Sequence, residues 1–173
     1  VPGTGTATRT LCSGTNTHGQ LGTSGPSSTT FQEIPGLTDA TDVQTSSGHA
    51  CALRATGDVV CWGSNFEGIL GVGSTEAVVR APTPVQGLSD VVQLSAGSAH
   101  MCAVRREGTV ACWGINTSGK TGVDPSVPYV STPTTVQGLA DITQVAAGQS
   151  HTCALARNGS VSCWGSNQAR ILG

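Results

Sequence analysis

One five-residue run, met three times, constrains this chain more than any other feature. His49-Ala50-Cys51-Ala52-Leu53 recurs as His100-Met101-Cys102-Ala103-Val104 and as His151-Thr152-Cys153-Ala154-Leu155, each copy 51 positions after the last. The same interval separates Cys61-Trp62-Gly63, Cys112-Trp113-Gly114 and Cys163-Trp164-Gly165. A third marker precedes each copy: Gly36-Leu37-Thr38-Asp39, Gly87-Leu88-Ser89-Asp90 and Gly138-Leu139-Ala140-Asp141. Three markers in fixed order and spacing define a structural repeat. A repeat of this length is one supersecondary unit that buries its apolar faces only by stacking on its neighbours.

Within a unit the apolar period is two. In Val91-Val92-Gln93-Leu94-Ser95-Ala96-Gly97 the residues Val92, Leu94 and Ala96 are expected on one strand face. Further strands are expected from His100 to Arg105, from Thr109 to Trp113 and near Thr134-Thr135-Val136. Four short antiparallel strands in about 50 residues describe one blade of a propeller. The composition agrees: 24 Gly, 8 Pro and 41 Ser or Thr in 173 residues, with only 10% charged, suit hairpins and turns rather than helices. The small pairs Ala96-Gly97 and Ala147-Gly148 are expected at the crowded centre. The unit boundaries read as 36–86, 87–137 and 138–173, preceded by an incomplete unit at 11–35 and a low-complexity segment at 1–10.

The pattern Asp-Val/Ile-x-x-Val/Leu-x-Ala-Gly-x-x-His-x-Cys-Ala-Leu, followed by Gly-x-Val-x-Cys-Trp-Gly-x-Asn, resembles the repeat of the regulator of chromosome condensation family. It is most similar to the Cys-bearing version of bacterial and extracellular proteins. The resemblance runs from Leu11 to Gly173 and implies an all-β, seven-bladed propeller, of which this chain holds a partial ring of about three and a third blades, each a four-stranded antiparallel sheet. The family's best-known activity is nucleotide exchange on a small nuclear GTPase, with chromatin binding. The low charge and the paired Cys of this sequence argue against carrying that activity over, because one fold serves many functions.

Seven Cys fall into three pairs and a remainder. Arg54-Ala55-Thr56-Gly57-Asp58 reads as a hairpin turn with Gly57 at the left-handed position, so Arg54 pairs with Asp58. Counting back, Leu53 faces Val59, Ala52 faces Val60 and Cys51 faces Cys61. The turns Arg106-Glu107-Gly108 and Arg157-Asn158-Gly159 set Cys102 opposite Cys112 and Cys153 opposite Cys163. Opposed residues have Cβ atoms about 4.5–5.5 Å apart, so modest closing of the hairpin admits a disulfide. Buried thiols acting as small apolar residues are the alternative. Three opposed pairs in three copies favour disulfides, and with them an oxidising compartment and a secreted or cell-surface protein. Cys12 has no partner and is left as a free thiol or a bridge to another chain.

Other chemistry finds little support. His49 and Cys51 share a strand face, but the spacing of structural zinc sites is missing, so no metal is expected. The repeated His reads as architecture, bonding backbone between blades. Asp39, Asp90 and Asp141 recur at strand starts, where a carboxylate can accept backbone N–H bonds. No nucleophile elbow, phosphate loop or zinc-protease motif appears, so neither enzyme nor cofactor is expected. Trp62, Trp113 and Trp164 suggest either a sugar platform or packing between blades, and their identical placement favours packing. Eight basic against ten acidic residues leave no footprint for nucleic acid. No apolar run approaches the roughly 18 residues of a membrane helix. Sequons at Asn116 and Asn158 mark candidate N-glycosylation sites, both placed in exposed loops. Tyr129 is the one aromatic outlier in a loop.

Leu11-Cys12-Ser13-Gly14 aligns with Val60-Cys61-Trp62-Gly63, so the first blade begins at its third strand, and Ser13 replaces the Trp. The sequence opens on Val1 rather than Met, without a signal-peptide pattern, which reads as a processed form or a fragment. A partial ring leaves unpaired edges, so self-association by strand addition or blade stacking is expected, closing a ring or extending as a filament. The reading is an extracellular structural or adhesive module. A rim that binds protein or glycan is the alternative.

Overall fold

The computed structural model describes residues 9–170 and Leu172. Residues 1–8 of the low-complexity segment, and Ile171 and Gly173 at the other end, lie outside the described residues. The described residues form thirteen strands in four antiparallel sheets, each a blade. Blade I pairs β1 (Leu11–Gly14) with β2 (Ser28–Glu33). Blade II runs β3 (Ala40–Thr45), β4 (His49–Arg54), β5 (Val59–Ser64) and β6 (Val78–Pro84), each strand pairing with the next. Blade III repeats this order with β7 (Val91–Ala96), β8 (His100–Arg105), β9 (Val110–Ile115) and β10 (Tyr129–Thr135). Blade IV holds β11 (Ile142–Ala147), β12 (His151–Ala156) and β13 (Val161–Gly165). The outer strand β10 starts at Tyr129, earlier than the run near Thr134 on which the sequence placed it.

The hairpin register is the one that turn chemistry dictates. Gly57 takes φ +88°, its N–H donates to Arg54 O at 2.9 Å, and Arg54 N–H donates to Asp58 O at 2.9 Å. This sets Leu53 opposite Val59, Ala52 opposite Val60 and Cys51 opposite Cys61. Gly108 and Gly159 impose the same pairing on the later hairpins, at φ +85° and +87°.

One strand-face expectation is corrected. Val92 is 45% exposed while Val91 is buried with Leu94. A bulge between Val91 and Gln93 sets two residues of β7 against one of β8, which turns Val91 inward and Val92 outward. The same bulge lies between Ile142 and Gln144 and between Ala40 and Asp42. Strict alternation cannot reveal an extra residue in the pleat.

The core lies between the sheets. Ile34 of blade I packs with Leu37, Ala50, Ala52, Val60 and Trp62 of blade II. A second layer joins Leu53, Val59, Leu70 and Val85 of blade II to Val91, Leu94, Met101 and Trp113 of blade III. A third joins Val104, Val110 and Val136 to Ile142, Val145 and Ala154. Each layer exists only because two adjacent blades supply it. At the inner edge Ser98 N–H donates to Gly148 O at 3.3 Å. A Cβ on Gly97 would lie 2.5 Å from Gly148 O and clash with the His100 ring, so only glycine permits this approach.

Candidate functional site

Polar groups of adjacent blades meet along seams. Gln93 of β7 faces β11 across the seam between blades III and IV. Its Nε2 donates to Val145 O at 3.0 Å, and its Oε1 accepts from Val145 N–H at 2.9 Å. Ser95 Oγ accepts from Ala147 N–H at 3.0 Å, and Ser98 Oγ donates to Gln149 O at 2.8 Å. Between blades II and III the corresponding residues differ. Asp42 stands at the Gln93 position and instead accepts Gln44 Nε2 at 3.0 and 3.1 Å.

His49 and His100 of the repeated His lie buried at these seams, and His151 is half-buried. His100 Nε2 is 2.8 Å from Thr152 Oγ1, whose hydroxyl donates to Lys120 O at 2.8 Å. A hydroxyl has one proton, so His100 Nε2 must carry the hydrogen of its own bond and Nδ1 is the bare nitrogen. That Nδ1 is buried without a partner among the described residues. The expected backbone bond between blades is thus replaced by a side-chain bond to Thr152. Met101 stands where blade IV has Thr152, and His49 Nε2 is left without a partner among the described residues. Burial lowers the His49 pKa to about 4. Burial, with the charges of Lys120, His151 and His49, lowers that of His100 to about 3. Lys120 is itself buried, which lowers its pKa, and its amine donates to Gln149 O at 3.4 Å.

A repeated Asn, unrecognised as a motif in the sequence, builds the loop rim at the same end of the blades, two residues after the Gly63 and Gly114 that pair with His49 and His100. Asn65 Nδ2 donates to Ser74 O and Glu76 O, both at 2.9 Å, and its Oδ1 accepts from Leu70 N–H at 3.2 Å. Asn16 clasps its loop through Thr23 O, Gly25 O and Leu21 N–H. Asn116 does so through Val123 O, Asp124 O and Val127 O, while its Oδ1 accepts from Thr121. The expectation that the Asn116 sequon is exposed is therefore corrected. Asn116 is fully buried, because its amide nitrogen closes the loop that was expected to display it. Asn158 is exposed at its hairpin tip, with Oδ1 accepting from Ser160 N–H and Oγ.

Sulfur pairs brace each hairpin. The S–S distance is 2.06 Å for Cys51–Cys61 and 2.10 Å for both Cys102–Cys112 and Cys153–Cys163, each with Cα atoms 4.1 Å apart. Cys12 is a free thiol opposite Gln32, half-buried against the core of blades I and II, and burial raises its pKa. Trp62 and Trp113 are fully buried and Trp164 partly, so they form no sugar platform. Each rests on a glycine of the preceding blade: Gly22, Gly71 and Gly122, where a Cβ would come within 3.0–3.2 Å of the indole. Trp62 Nε1 donates to Gln20 O at 2.9 Å, and Trp164 Nε1 to Lys120 O at 3.1 Å. The Asp expectation is also corrected. The backbone carbonyls of Asp39, Asp90 and Asp141, not their carboxylates, accept N–H from Ala55, Arg106 and Arg157. The Asp39 carboxylate instead accepts from Arg54 Nε at 2.8 Å. Tyr129 is 41% exposed at the start of β10.

No group of three or more His, Cys, Asp or Glu among the described residues is placed to hold a metal. No helix among them is long and apolar enough to cross a membrane. Among the described residues, what recurs is consumed in seams, clasps and core.

Comparison with known proteins agrees with this geometry. A model of the regulator of chromosome condensation (RCC1) repeat matches residues 40–69, 91–120 and 142–169, and a second model of that repeat matches 56–104 and 107–155. The human probable E3 ubiquitin-protein ligase HERC6 is 33% identical over 174 residues, which is 95% of this chain and 17% of that protein. The mouse regulator of chromosome condensation is 38% identical over 111 residues, covering 64% of this chain and 26% of that protein. This chain thus spans only about a sixth and a quarter of the two curated relatives named here. Yeast RCC1 (Prp20), in its crystal structure with Kap60, superposes with a TM-score of 0.82 at 22% identity, over 94% of this chain and 41% of that one. That likeness shows the fold. With blades, seams and repeat models in agreement, the chain belongs to the regulator of chromosome condensation (RCC1) repeat family.

Proposed function

We propose that this chain is a disulfide-braced propeller segment that presents its loop rim to protein partners in an extracellular or cell-surface setting. The carrying observation is the division of labour within the repeat. Side chains that recur every 51 positions are spent on packing, whereas Phe66, Glu67 and Tyr129 depart from the repeat and are exposed on the rim. The fold neighbours lend support, since yeast Prp20p has been crystallised with Kap60 and described for its binding to Gsp1p and histones. Ligase activity belongs to HERC6, of which this chain spans 17%, and no catalytic step is assigned to the segment. The near-neutral charge likewise supports no exchange on a nuclear GTPase. The units 36–86, 87–137 and 138–173 are the repeating bodies of this reading.

The setting is tested by peptide mapping without reductant after native alkylation. Three intra-blade bridges and one alkylated residue, Cys12, are expected. Alkylation of all seven Cys would overturn the oxidising setting.

A structural or adhesive role through self-association is the second reading. Light scattering over a concentration series decides it. Mass that grows with concentration supports assembly, and a constant monomer mass rejects it.

A further inference from the structure

Phe66 and Glu67 break the repeat at a place where packing makes no demand. The residues after the clasping Asn are Thr17-His18, Phe66-Glu67, Thr117-Ser118 and Gln168-Ala169, so only blade II offers an aromatic ring followed by a carboxylate. The backbone there is architectural: Glu67 takes φ +56° and Ser118, its counterpart, +63°. The side chains are not. Phe66 is 60% exposed, and the Glu67 carboxylate has no ion-pair partner among the described residues.

Beside this pair lies a groove of about 470 Å³ between the loop of blade II and the outer strand of blade III, lined by Phe66, Glu67, Ser74, Thr75, Ser131 and Thr132. The two blades abut at its floor, where a Cβ on Gly68 would come within 3.0 Å of Ser131 Cβ. Tyr129 lies two residues from Ser131 on β10, and both are exposed while Val130 between them is buried. The Phe66 ring therefore stands at the wall of the groove. The charge is of one sign. Loops 65–77 and 116–128 carry Glu67, Glu76 and Asp124, all exposed. Their one cation is Lys120, buried with its amine donated to Gln149 O.

We infer that this groove binds an extended peptide segment of a protein partner, an apolar side chain packing on Phe66 and a Lys or Arg pairing with Glu67. Resting on the rim reading above, this names the place and the partner's chemistry. An exposed aromatic supplies large contact area at low entropic cost, so Phe66 carries affinity. An exposed carboxylate contributes mainly selectivity and salt dependence.

The test titrates the isotope-labelled chain with an acetylated octapeptide of alternating Arg and Leu, its Glu-for-Arg counterpart, and chitotetraose. The Arg peptide is expected to shift amides of residues 66–68, 73–77 and 129–132. Phe66→Ala should weaken binding about tenfold, as loss of an interface anchor does. Glu67→Gln should weaken it about threefold and flatten its salt dependence. Phe31→Ala, a change to an exposed ring in blade I, should leave binding unchanged. Unchanged binding by Phe66→Ala, or equal binding of the acidic peptide or the sugar, would overturn the assignment. Shifts confined to another part of the rim would remove this groove and leave the rim reading. No shift with any peptide would remove both.

Discussion

The side-chain amide of Gln93 grips the backbone of Val145 from the neighbouring blade, donating to its carbonyl at 3.0 Å and accepting from its N–H at 2.9 Å. One side chain thus satisfies both hydrogen-bonding groups of a residue on the inner strand of blade IV. Gln93→Ala removes both bonds at once and leaves a half-buried peptide group to find water. The expected loss is about 1–3 kcal/mol in urea unfolding, with faster amide exchange at Val145. Exchange unchanged at Val145 would show that the clamp contributes nothing.

The His at the seams make stability fall in acid. Folded pKa values of about 4 for His49 and about 3 for His100 lie below the ordinary 6.5, so the unfolded chain binds more protons. The contribution is complete above pH 6.5 and is lost as pH falls toward 4 and 3. At about 1.4 kcal/mol per pKa unit, His49 alone accounts for a loss on the order of 3 kcal/mol. Denaturant melts between pH 7 and 4 should show this slope, and His49→Gln should reduce it. A slope identical in that variant would remove His49 from the account.

Thr152 relays between His100 and Lys120. Thr152→Val keeps the shape but strands a buried imidazole N–H and one of the two bonds at the Lys120 carbonyl. A loss of about 1–3 kcal/mol is expected, where Thr152→Ser, which keeps the hydroxyl, should cost less. Equal losses for the two would assign the effect to packing.

Each disulfide closes a short hairpin, so its removal is bounded. Cys102→Ala with Cys112→Ala should cost about 2–3 kcal/mol in thermal or urea unfolding. The same change at Cys153 and Cys163 should cost less, because that pair is only partly buried and leaves a smaller void. The reverse order would contradict the burial pattern.

Only one sequon is chemically available. Expressed through a eukaryotic secretory pathway, the chain should gain at most one N-glycan, lost in Asn158→Gln. Asn116→Gln should leave the mass pattern unchanged and destabilise the fold, because the longer side chain cannot close the same loop. Sugar found on Asn116 would mean that its clasp opens before or during folding.

Much of this was legible from the repeat. Gly57, Gly108 and Gly159 dictate the turn, the turn dictates the register, and the register brings Cys51 to Cys61 with no long-range information. The misreadings have local physical causes. Alternation misplaces Val92 because a bulge adds a residue that it cannot count. A sequon reads as exposed loop chemistry, whereas the burial of Asn116 depends on three carbonyls of the same loop converging on its amide. The Asn clasp did carry a signal, since Asn16, Asn65, Asn116 and Asn167 recur at near-constant spacing.

By itself the sequence determined much of what repeats: the strands, the hairpin register, the Cys pairing and the propeller class. Those depend on neighbours within a few residues, or on a pattern imposed three times over. Tertiary structure alone decided what lies between blades. That Gln93 reaches Val145, that His100 finds Thr152 while His49 meets a methionine position, and that Phe66 faces a groove on the next blade follow from residues about 50 or more positions apart. Such contacts exist only once the sheets have stacked, and no local rule of turn or period encodes them.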